Sequence, residues 1–270
     1  MVLSAFAFTC MNTLIKFVNE LPTMQLVFFR SIGSVVIGAA IMIKLGIPWI
    51  GKNNKLLISR ALVGMTSMAI FFKCLQLMPI ASAVSLRYTS PIFAAILAFL
   101  FLKEKIKPYQ WLCFLVAFIG VVLIKGFDDR ISLLALVLIF TSSVLSGVVY
   151  VLLRMLSGKE HPVRIVNYFM ITACVISGIW AIPSWVTPQN SELLILCSLG
   201  IFGFFGQYFM TQALQLEEAS KVVPFKYSEA IFTVCAAWMI FGEGQNMIAL
   251  SGMVLIIIAL SINAFVKQKS

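Results

Sequence analysis

The stretch that decides the fold is LQLMPIASAVSLRYTSPIFAAILAFLFLKEKI at residues 75–106, because a related stretch occurs later in the same chain. Residues 214–245 read LQLEEASKVVPFKYSEAIFTVCAAWMIFGEGQ and align with it without a gap, at an offset of 139 (214 minus 75). Apolar helices resemble one another by chance, so the polar matches carry the comparison. Those matches are Gln76 with Gln215, Arg87-Tyr88 with Lys226-Tyr227, and Glu104 with Glu243. The chain therefore contains an internal repeat.

The composition around this repeat is typical of a membrane protein. Of 270 residues, 61% are hydrophobic and 11% are charged, and the mean hydropathy is +1.03. Soluble domains contain about 25% charged residues, and a 29.9 kDa globule cannot bury this much apolar surface. The apolar residues form runs of roughly 20, the length of a helix that crosses a bilayer. The predicted helices are 2–18, 23–43, 58–77, 80–102, 109–125, 131–153, 163–182, 193–214, 221–241 and 246–266.

The repeat places five predicted helices in each half of the chain, 1–127 and 128–270. Because five is an odd number, the second half enters the membrane with the opposite orientation. The predicted fold is therefore an all-α integral membrane protein with ten transmembrane helices, in two inverted five-helix repeats around a central cavity. Such repeats are common in secondary transporters, whose substrate site lies near the bilayer midplane. The alternative is a duplicated structural bundle without transport activity.

The net charge of +10 follows the predicted topology. If the first helix starts in the cytoplasm, thirteen Lys and Arg residues lie on inward loops and the tail, Arg60 and Arg164 among them. Only Lys16, Lys125 and Arg130 then lie on outward loops. This asymmetry agrees with the positive-inside rule and predicts that both termini are cytoplasmic. The basic charge therefore indicates topology, and nucleic-acid binding is not expected.

Several short motifs, by their order and spacing, resemble the drug/metabolite transporter superfamily in its form with two tandem EamA domains. They are Phe28-Phe29-Arg30, Ser90-Pro91-Ile92-Phe93, Leu102-Lys103-Glu104-Lys105, Gly120-Val121, Tyr227-Ser228-Glu229 and Phe241-Gly242-Glu243. The resemblance covers essentially the whole chain. It implies a ten-helix exporter or importer of amino acids, their derivatives, nucleotide-like metabolites or drugs, in the bacterial cytoplasmic membrane.

The second half departs from this pattern at two positions. Ala230 stands where the first half has Pro91, and Arg30 has no basic counterpart. The stretch Lys226-Tyr227-Ser228-Glu229, which follows Pro224, resembles the branch of the superfamily that includes S-adenosylmethionine importers. An S-adenosylmethionine-type uptake carrier is therefore an alternative function.

Charged side chains deep inside predicted helices, away from the ends where they could reach the headgroups, are candidates for the site, since each costs about 2.5–3.5 kcal/mol on insertion scales. They are Arg30, Lys73, Arg87, Lys226 and Glu229. Lys73 is interpreted as an anchor that reaches the outer interface. Arg87 and Lys226 are repeat counterparts, which we expect at one cavity.

Glu229 lies one helical turn after Lys226 on the same face. Two interpretations stay open: it neutralises Lys226 or Arg87, or it binds a substrate amine or carries the coupling proton. The excess of basic over acidic groups predicts a cavity of positive potential. We expect this cavity to receive a carboxylate or phosphate, with Arg87 as the main contact.

Uncharged polar residues extend the candidate site. Tyr88 and Tyr227 are repeat counterparts beside the basic pair, so we expect both in the cavity. For the remaining candidates, interhelical hydrogen bonding is the alternative role. They are Asn12, Gln25, Tyr150, Gln207 and Tyr208.

Three further residues are candidates for coupling or gating. Glu104 and Glu243 close two predicted helices at their C-termini, where a carboxylate opposes the helix dipole and needs a tertiary partner. We expect them to latch the two closed states. Pro91 offers a bending point in the fourth helix, although structural packing alone would also explain it.

The residues do not favour an enzyme. The chain has one histidine, His161 in a predicted loop, and no aspartate inside a predicted helix. The six cysteines lie in apolar segments without paired spacing, which predicts neither a disulfide nor a metal site. No cofactor or nucleotide-binding motif is present, so a proton or substrate gradient is the expected energy source. A channel or an accessory membrane protein is the rival class, and a homodimer stays open because the sequence marks no interface.

Overall fold

The computed structural model of the protein describes residues 1–102, 108–126, 131–216, 225–226, 228–242 and 247–268. These residues form α-helices and short 3-10 turns, with no β-strand among them. In the first half, the described helices are α1 (Val2–Phe17), α2 (Thr23–Lys44), α3 (Asn54–Leu77), α4 (Ile80–Arg87), α5 (Ser90–Leu102) and α6 (Pro108–Gly126). In the second half they are α7 (Leu133–Leu156), α8 (Pro162–Ala181), α9 (Asn190–Leu216), α10 (Ser228–Phe241) and α11 (Met247–Gln268).

Each of the ten predicted segments contains helix, and one of them contains a break that the prediction lacks. The expected continuous helix over 80–102 is wrong, because α4 ends at Arg87 and α5 begins at Ser90. Proline has no N–H, so Pro91 cannot bond the Arg87 carbonyl four residues earlier. The chain closes the turn differently: the Tyr88 N–H bonds the Ser85 carbonyl at 3.1 Å, and the Thr89 hydroxyl bonds the Leu86 carbonyl at 2.8 Å.

Five of the described helices are long and apolar enough to cross a membrane. They are Thr23–Lys44, Asn54–Leu77, Leu133–Leu156, Pro162–Ser184 (α8 with the 3-10 turn that follows it) and Glu192–Leu216. Their outward sides carry large exposed apolar side chains, such as Leu194 at 74% and Ile179 at 67%. A helix with apolar residues on its outer side needs an apolar solvent. The chain is therefore a multi-pass membrane protein, while the assignment of ten spans stays a prediction.

Contacts between the halves are symmetric. Matching the helices in chain order pairs α1 with α7, α2 with α8, α3 with α9, α5 with α10 and α6 with α11. Under this exchange the contact of α3 with α7 becomes that of α9 with α1, and the contact of α2 with α9 becomes that of α8 with α3. The contacts of α2 with α8 and of α6 with α11 map onto themselves. This is the contact pattern of a twofold relation between the halves.

Two glycines make a close backbone approach between the halves. A Cβ built on Gly200 of α9 would lie 2.6 Å from the Gly33 Cα of α2, and one on Gly33 would lie 2.9 Å from the Gly200 Cα. Neither position has room for a side chain, which is why small residues are favoured where membrane helices cross closely. Ser34 adds a hydrogen bond from its hydroxyl to the Gly200 carbonyl at 2.9 Å.

Candidate functional site

The candidate site is an internal cavity between the two halves. Its walls come from α1, α2, α3 and α4 of the first half and from α7, α8, α9 and the start of α10 of the second half, and its volume is about 90 Å³. The polar lining residues are Asn12, Arg30, Arg60, Ser67, Arg87, Tyr88, Ser146, Tyr150, Gln207, Lys226 and Glu229. The apolar part of the wall is rich in aromatic rings and thioethers, namely Phe8, Met11, Met68, Phe71, Phe72, Phe169 and Met210.

Arg30 projects from α2 into the centre of this wall and is 1% exposed. Its Nε donates a hydrogen bond to the Met11 sulfur at 3.1 Å, and its Nη1 donates to the Met68 sulfur. Its guanidinium carbon lies 5.8 Å from the Phe72 ring centroid and 5.7 Å from that of Phe169. Thioether sulfur is a weak acceptor, so Arg30 is held in place without being neutralised.

Arg60 is a cavity residue, and its assignment to an inward loop is wrong. It lies in the second turn of α3, which begins at Asn54, and it is 1% exposed. Its Nη2 donates to the Gln207 amide oxygen at 3.2 Å, and its guanidinium carbon lies 4.2 Å from the Phe169 ring centroid. Its Nε and Nη1 are buried and have no hydrogen-bond partner among the residues that the structure describes.

Arg87 is the last residue of α4, directly before the break that Pro91 causes. Its guanidinium carbon lies 3.9 Å from the Phe71 ring centroid, and its Nη2 donates to the Ser146 hydroxyl at 3.3 Å. The break ends the helix at this residue, and the half-buried arginine lines the cavity.

Lys226 and Glu229 bring the second half of the chain into the cavity. The Lys226 ammonium donates to the Tyr150 hydroxyl at 2.6 Å. The Glu229 carboxylate, 6% exposed as a residue, accepts a hydrogen bond from the Asn12 amide at 3.3 Å. Within the described part of the chain, Glu229 forms no ion pair with Lys226 or Arg87. The interpretation of Glu229 as a directly paired counter-ion therefore lacks a contact in this conformation.

The charges of the described lining residues do not balance. Arg30, Arg60, Arg87 and Lys226 face one carboxylate, Glu229, and none of the three arginines forms an ion pair among the described residues. A cation–π contact offsets about 0.5–2 kcal/mol, whereas an unpaired buried ion costs several. The aromatic contacts alone therefore leave the cationic wall unfavourable. An anion that enters the cavity would relieve this cost.

The structure brings most of the predicted site residues together. Arg30, Asn12, Arg87, Tyr88, Tyr150, Gln207, Lys226 and Glu229 all line the one cavity. Tyr227, Glu104 and Glu243 lie outside the described residues. Gln25 lies elsewhere, where it donates to the Val186 carbonyl at 2.6 Å, and Lys73 is exposed. Tyr208 stacks on Phe204 with ring centroids 5.9 Å apart.

Sequence reasoning missed Arg60 because it lies two residues inside the predicted start of its helix. A signal for it exists in the helical spacing of the α3 cavity face. Arg60, Gly64, Ser67 and Phe71 follow one another at intervals of four, three and four residues and all line the cavity. A cation in register with small and polar residues faces the interior of a bundle rather than lipid.

A second polar cluster lies away from the cavity and joins loops of both halves. The Glu160 carboxylate accepts from the Arg164 guanidinium at 2.6 Å and from the Asn53 N–H at 2.9 Å. The Arg164 Nε donates to the Pro48 carbonyl at 2.8 Å, and the Gln215 amide donates to the Glu160 carbonyl at 3.0 Å. Burial raises the pKa of Glu160, but these hydrogen bonds and the Arg164 charge outweigh it and bring that pKa below its ordinary value.

Membrane-length helices and a polar cavity between two similar halves define a multi-pass membrane protein with an internal polar site. The EamA-like transporter family matches the sequence twice, over residues 1–126 and 133–265. The chain belongs to this family, within the drug/metabolite transporter superfamily. The resemblance seen in the short motifs is thereby confirmed.

Individual relatives support the same class. The chain is 28% identical over 261 residues to the pseudopaline exporter CntI of Pseudomonas aeruginosa, covering 96% of this chain and 92% of that protein. It is 26% identical over 264 residues to the S-adenosylmethionine uptake transporter of Rickettsia prowazekii, covering 93% and 86%. It is 27% identical over 166 residues to the riboflavin transporter of Vibrio cholerae, covering 61% and 55%. One solved crystal structure covers 99% of this chain and 98% of its own at 15% identity, with a TM-score of 0.70, which shows a shared fold.

Proposed function

We propose that this protein is a secondary active transporter that moves a small metabolite with an anionic group across the bacterial cytoplasmic membrane by alternating access. The observation that carries the proposal is the cavity, where Arg30, Arg60, Arg87 and Lys226 face the one carboxylate of Glu229 among the described lining residues. Arginine grips carboxylate and phosphate with two parallel hydrogen bonds. Such a wall therefore attracts an anion and repels a simple cation.

The proposed architecture is two inverted five-helix repeats, 1–127 and 128–270, with both termini cytoplasmic. The exchange-symmetric contacts between the halves support it, as does the odd number of predicted helices per repeat. In inverted-repeat transporters, one half rocks against the other around a fixed site. The cavity between the halves has the location that this motion requires.

Polar contacts at the ends of α3 and α9 support a gate at each membrane face. Gln76 and Gln215 are repeat counterparts at the ends of α3 and α9. Gln76 donates to the Asn19 and Leu21 carbonyls at 3.0 and 2.9 Å, and Gln215 donates to the Glu160 carbonyl at 3.0 Å. Under the proposed topology these contacts lie at opposite membrane faces. Glu104 and Glu243, outside the described residues, and the break at Pro91 are further gating candidates of this proposal.

The relatives do not favour one direction of transport. The pseudopaline protein is an exporter, whereas the S-adenosylmethionine protein is an uptake transporter, and their identities to this chain are similar. An S-adenosylmethionine-type carrier therefore stays the alternative. A channel is the rival mechanism. The family and its relatives are transporters, so an enzyme has no support.

The test is counterflow in proteoliposomes that carry the purified protein and are preloaded with pooled metabolites, with and without a pH gradient. Saturable exchange of an anionic or zwitterionic metabolite is expected. Glu229→Gln is expected to keep exchange but lose pH-driven accumulation, since the amide cannot carry the coupling proton. If Glu229→Gln loses both, Glu229 binds substrate instead. Unsaturable flux would indicate a channel, and exchange of cationic metabolites alone would contradict the proposed substrate class.

A further inference from the structure

Two of the three cavity arginines lie against glycines at equivalent positions of the repeat. Gly64 of α3 and Gly203 of α9 are 139 residues apart, the offset of the repeat. A Cβ on Gly64 would lie 3.4 Å from the Arg60 Nη1 and 3.2 Å from the Phe169 ring, and a Cβ on Gly203 would lie 2.8 Å from the Arg30 Nε. The glycines therefore leave the space in which the two guanidinium groups lie against Phe169.

Arg60 has N–H donors that an anion in the cavity could use. One face of its guanidinium lies on the Phe169 ring at 4.2 Å, and among the described residues its Nη2 alone has an acceptor, the Gln207 oxygen. Its buried Nε and Nη1 have no hydrogen-bond partner in that part of the chain. A guanidinium fixed by stacking presents its N–H groups in one plane, the geometry that matches a carboxylate or phosphate.

Arg87 contacts the same wall at a different level. Arg87 lies on Phe71, whereas the Arg60 guanidinium lies beside Gly64, seven residues earlier on α3. Seven residues correspond to an axial rise of about 10 Å at 1.5 Å per residue. Arg87 bonds Ser146 and Lys226 bonds Tyr150, one turn apart on α7, whereas Gln207 of α9 accompanies Arg60. One carboxylate or phosphate is too small to accept hydrogen bonds from both Arg60 and Arg87.

We infer that Arg60, Gln207 and Phe169 form a second anion subsite, distinct from the one at Arg87 and Lys226, and that the transported metabolite carries two separate anionic groups. This inference rests on the proposed function and deepens its substrate class. Arg30, whose guanidinium also contacts the Phe169 ring, adds positive charge to the same cavity wall. Amino compounds that carry a second anionic group belong to this class of substrate with two anions.

The test compares pairs of amino compounds that differ by one anionic group. L-glutamate against L-glutamine samples a short spacing between the two anions, and O-phospho-L-tyrosine against L-tyrosine samples a long one. Dissociation constants would be measured by titration calorimetry on the purified protein in detergent. For at least one pair, we expect the acidic member to bind the unmodified protein at least tenfold more tightly.

The variants separate the subsite from a structural role. Arg60→Gln is expected to remove the preference within that pair, and Arg60→Lys to retain part of it. Arg154→Gln, which removes an exposed arginine at the end of α7, is the matched control and should leave the preference intact. The unliganded Arg60→Gln protein should melt no lower than the unmodified protein, because the substitution removes a buried, unneutralised charge.

Equal preference in Arg60→Gln and in the unmodified protein would overturn the inference, and so would the absence of any preference for the acidic members. The counterflow assay shows whether the second-subsite inference fails or the proposed transport function fails. Exchange of a metabolite with one anionic group would support the proposed transport function and contradict the second anion subsite. Arg60-dependent binding without any exchange would retain the subsite and reject transport.

Discussion

Asn12 and Glu229 lie 217 residues apart in the chain, and the Asn12 amide nitrogen is 3.3 Å from the Glu229 carboxylate oxygen. The bond joins α1 of the first half to α10 of the second half across the cavity. In the described part of the chain, this is the contact that holds the Glu229 carboxylate. Lys226 and Arg87 form no ion pair with it there. Asn12 therefore positions the carboxylate to which we assign the coupling proton.

The first prediction concerns this pair. Asn12→Ala is expected to lower pH-driven accumulation about tenfold, because a hydrogen bond to a charged group contributes about 1.5–3 kcal/mol. The double variant Asn12→Ala with Glu229→Gln should accumulate no less than Glu229→Gln alone, since both changes act on one interaction. Proteoliposome uptake under an imposed pH gradient measures all three variants.

Thr9→Ala is the control for this pair, because Thr9 lies on the same helix and its hydroxyl contacts Thr233 of α10 at 3.4 Å without touching Glu229. It should leave accumulation close to that of the unmodified protein. Additive losses in the Asn12 and Glu229 double variant would contradict the positioning role.

The second prediction concerns Arg87. Arg87→Gln should weaken substrate binding at least about thirtyfold, since truncating one partner of a buried charge pair costs about 2–5 kcal/mol. Arg87→Lys should recover only part of the loss, because an ammonium cannot make two parallel hydrogen bonds. Lys73→Gln removes an exposed cation from α3 and should bind normally. Binding by Arg87→Gln that equals the unmodified protein would remove Arg87 from the site.

The polar matches of the internal repeat predicted much of this arrangement. Arg87 and Lys226 are matched at an offset of 139, and the structure brings both to one cavity between the halves. Charge inside an apolar run is informative because lipid excludes it. Helix bounds followed from runs of apolar residues for the same reason, so that α1 and α2 agree with their predicted segments to within one residue.

Other features depend on geometry that a linear pattern does not contain. The prediction puts Arg60 in a loop, because a cation near a predicted helix start has the same sequence pattern whether it points to water or to a cavity. The sequence marks Pro91 as a bending point, but the break after Arg87 depends on the backbone carbonyl that loses its hydrogen-bond partner there. The stacking of Arg30 and Arg60 on Phe169 joins three helices and leaves no signal in any one of them.

The third prediction concerns the glycine crossing of α2 and α9. Gly200→Ala places a methyl group 2.6 Å from the Gly33 Cα, so the helices must separate. We expect a loss of about 1–3 kcal/mol in the free energy of unfolding, as for overpacked cores, seen as a lower melting temperature in detergent. Cys197→Ala, at an exposed position of the same helix, is the control. An unchanged melting temperature for Gly200→Ala would show that the crossing is looser than described.

The last prediction concerns the pH dependence of the Glu160 cluster. The folded protein lowers the pKa of Glu160, chiefly through the Asn53 N–H and Arg164, although burial opposes them. A carboxyl whose pKa is lower in the folded than in the unfolded state stabilises the fold above its unfolded pKa, about 4.3 for Glu. That contribution is lost as the pH falls from this value through the lowered folded pKa.

The melting temperature of the unmodified protein in detergent should therefore exceed that of Glu160→Gln at pH 7. The difference should shrink as the pH is lowered below about 4.3, and subtracting the two curves cancels the other carboxylates. Glu192→Gln is the control, since its carboxylate bonds only the exposed Gln189 N–H at 2.8 Å among the described residues. A difference that stays constant down to pH 3 would mean that the Glu160 carboxylate contributes through shape and hydrogen bonding rather than through its charge.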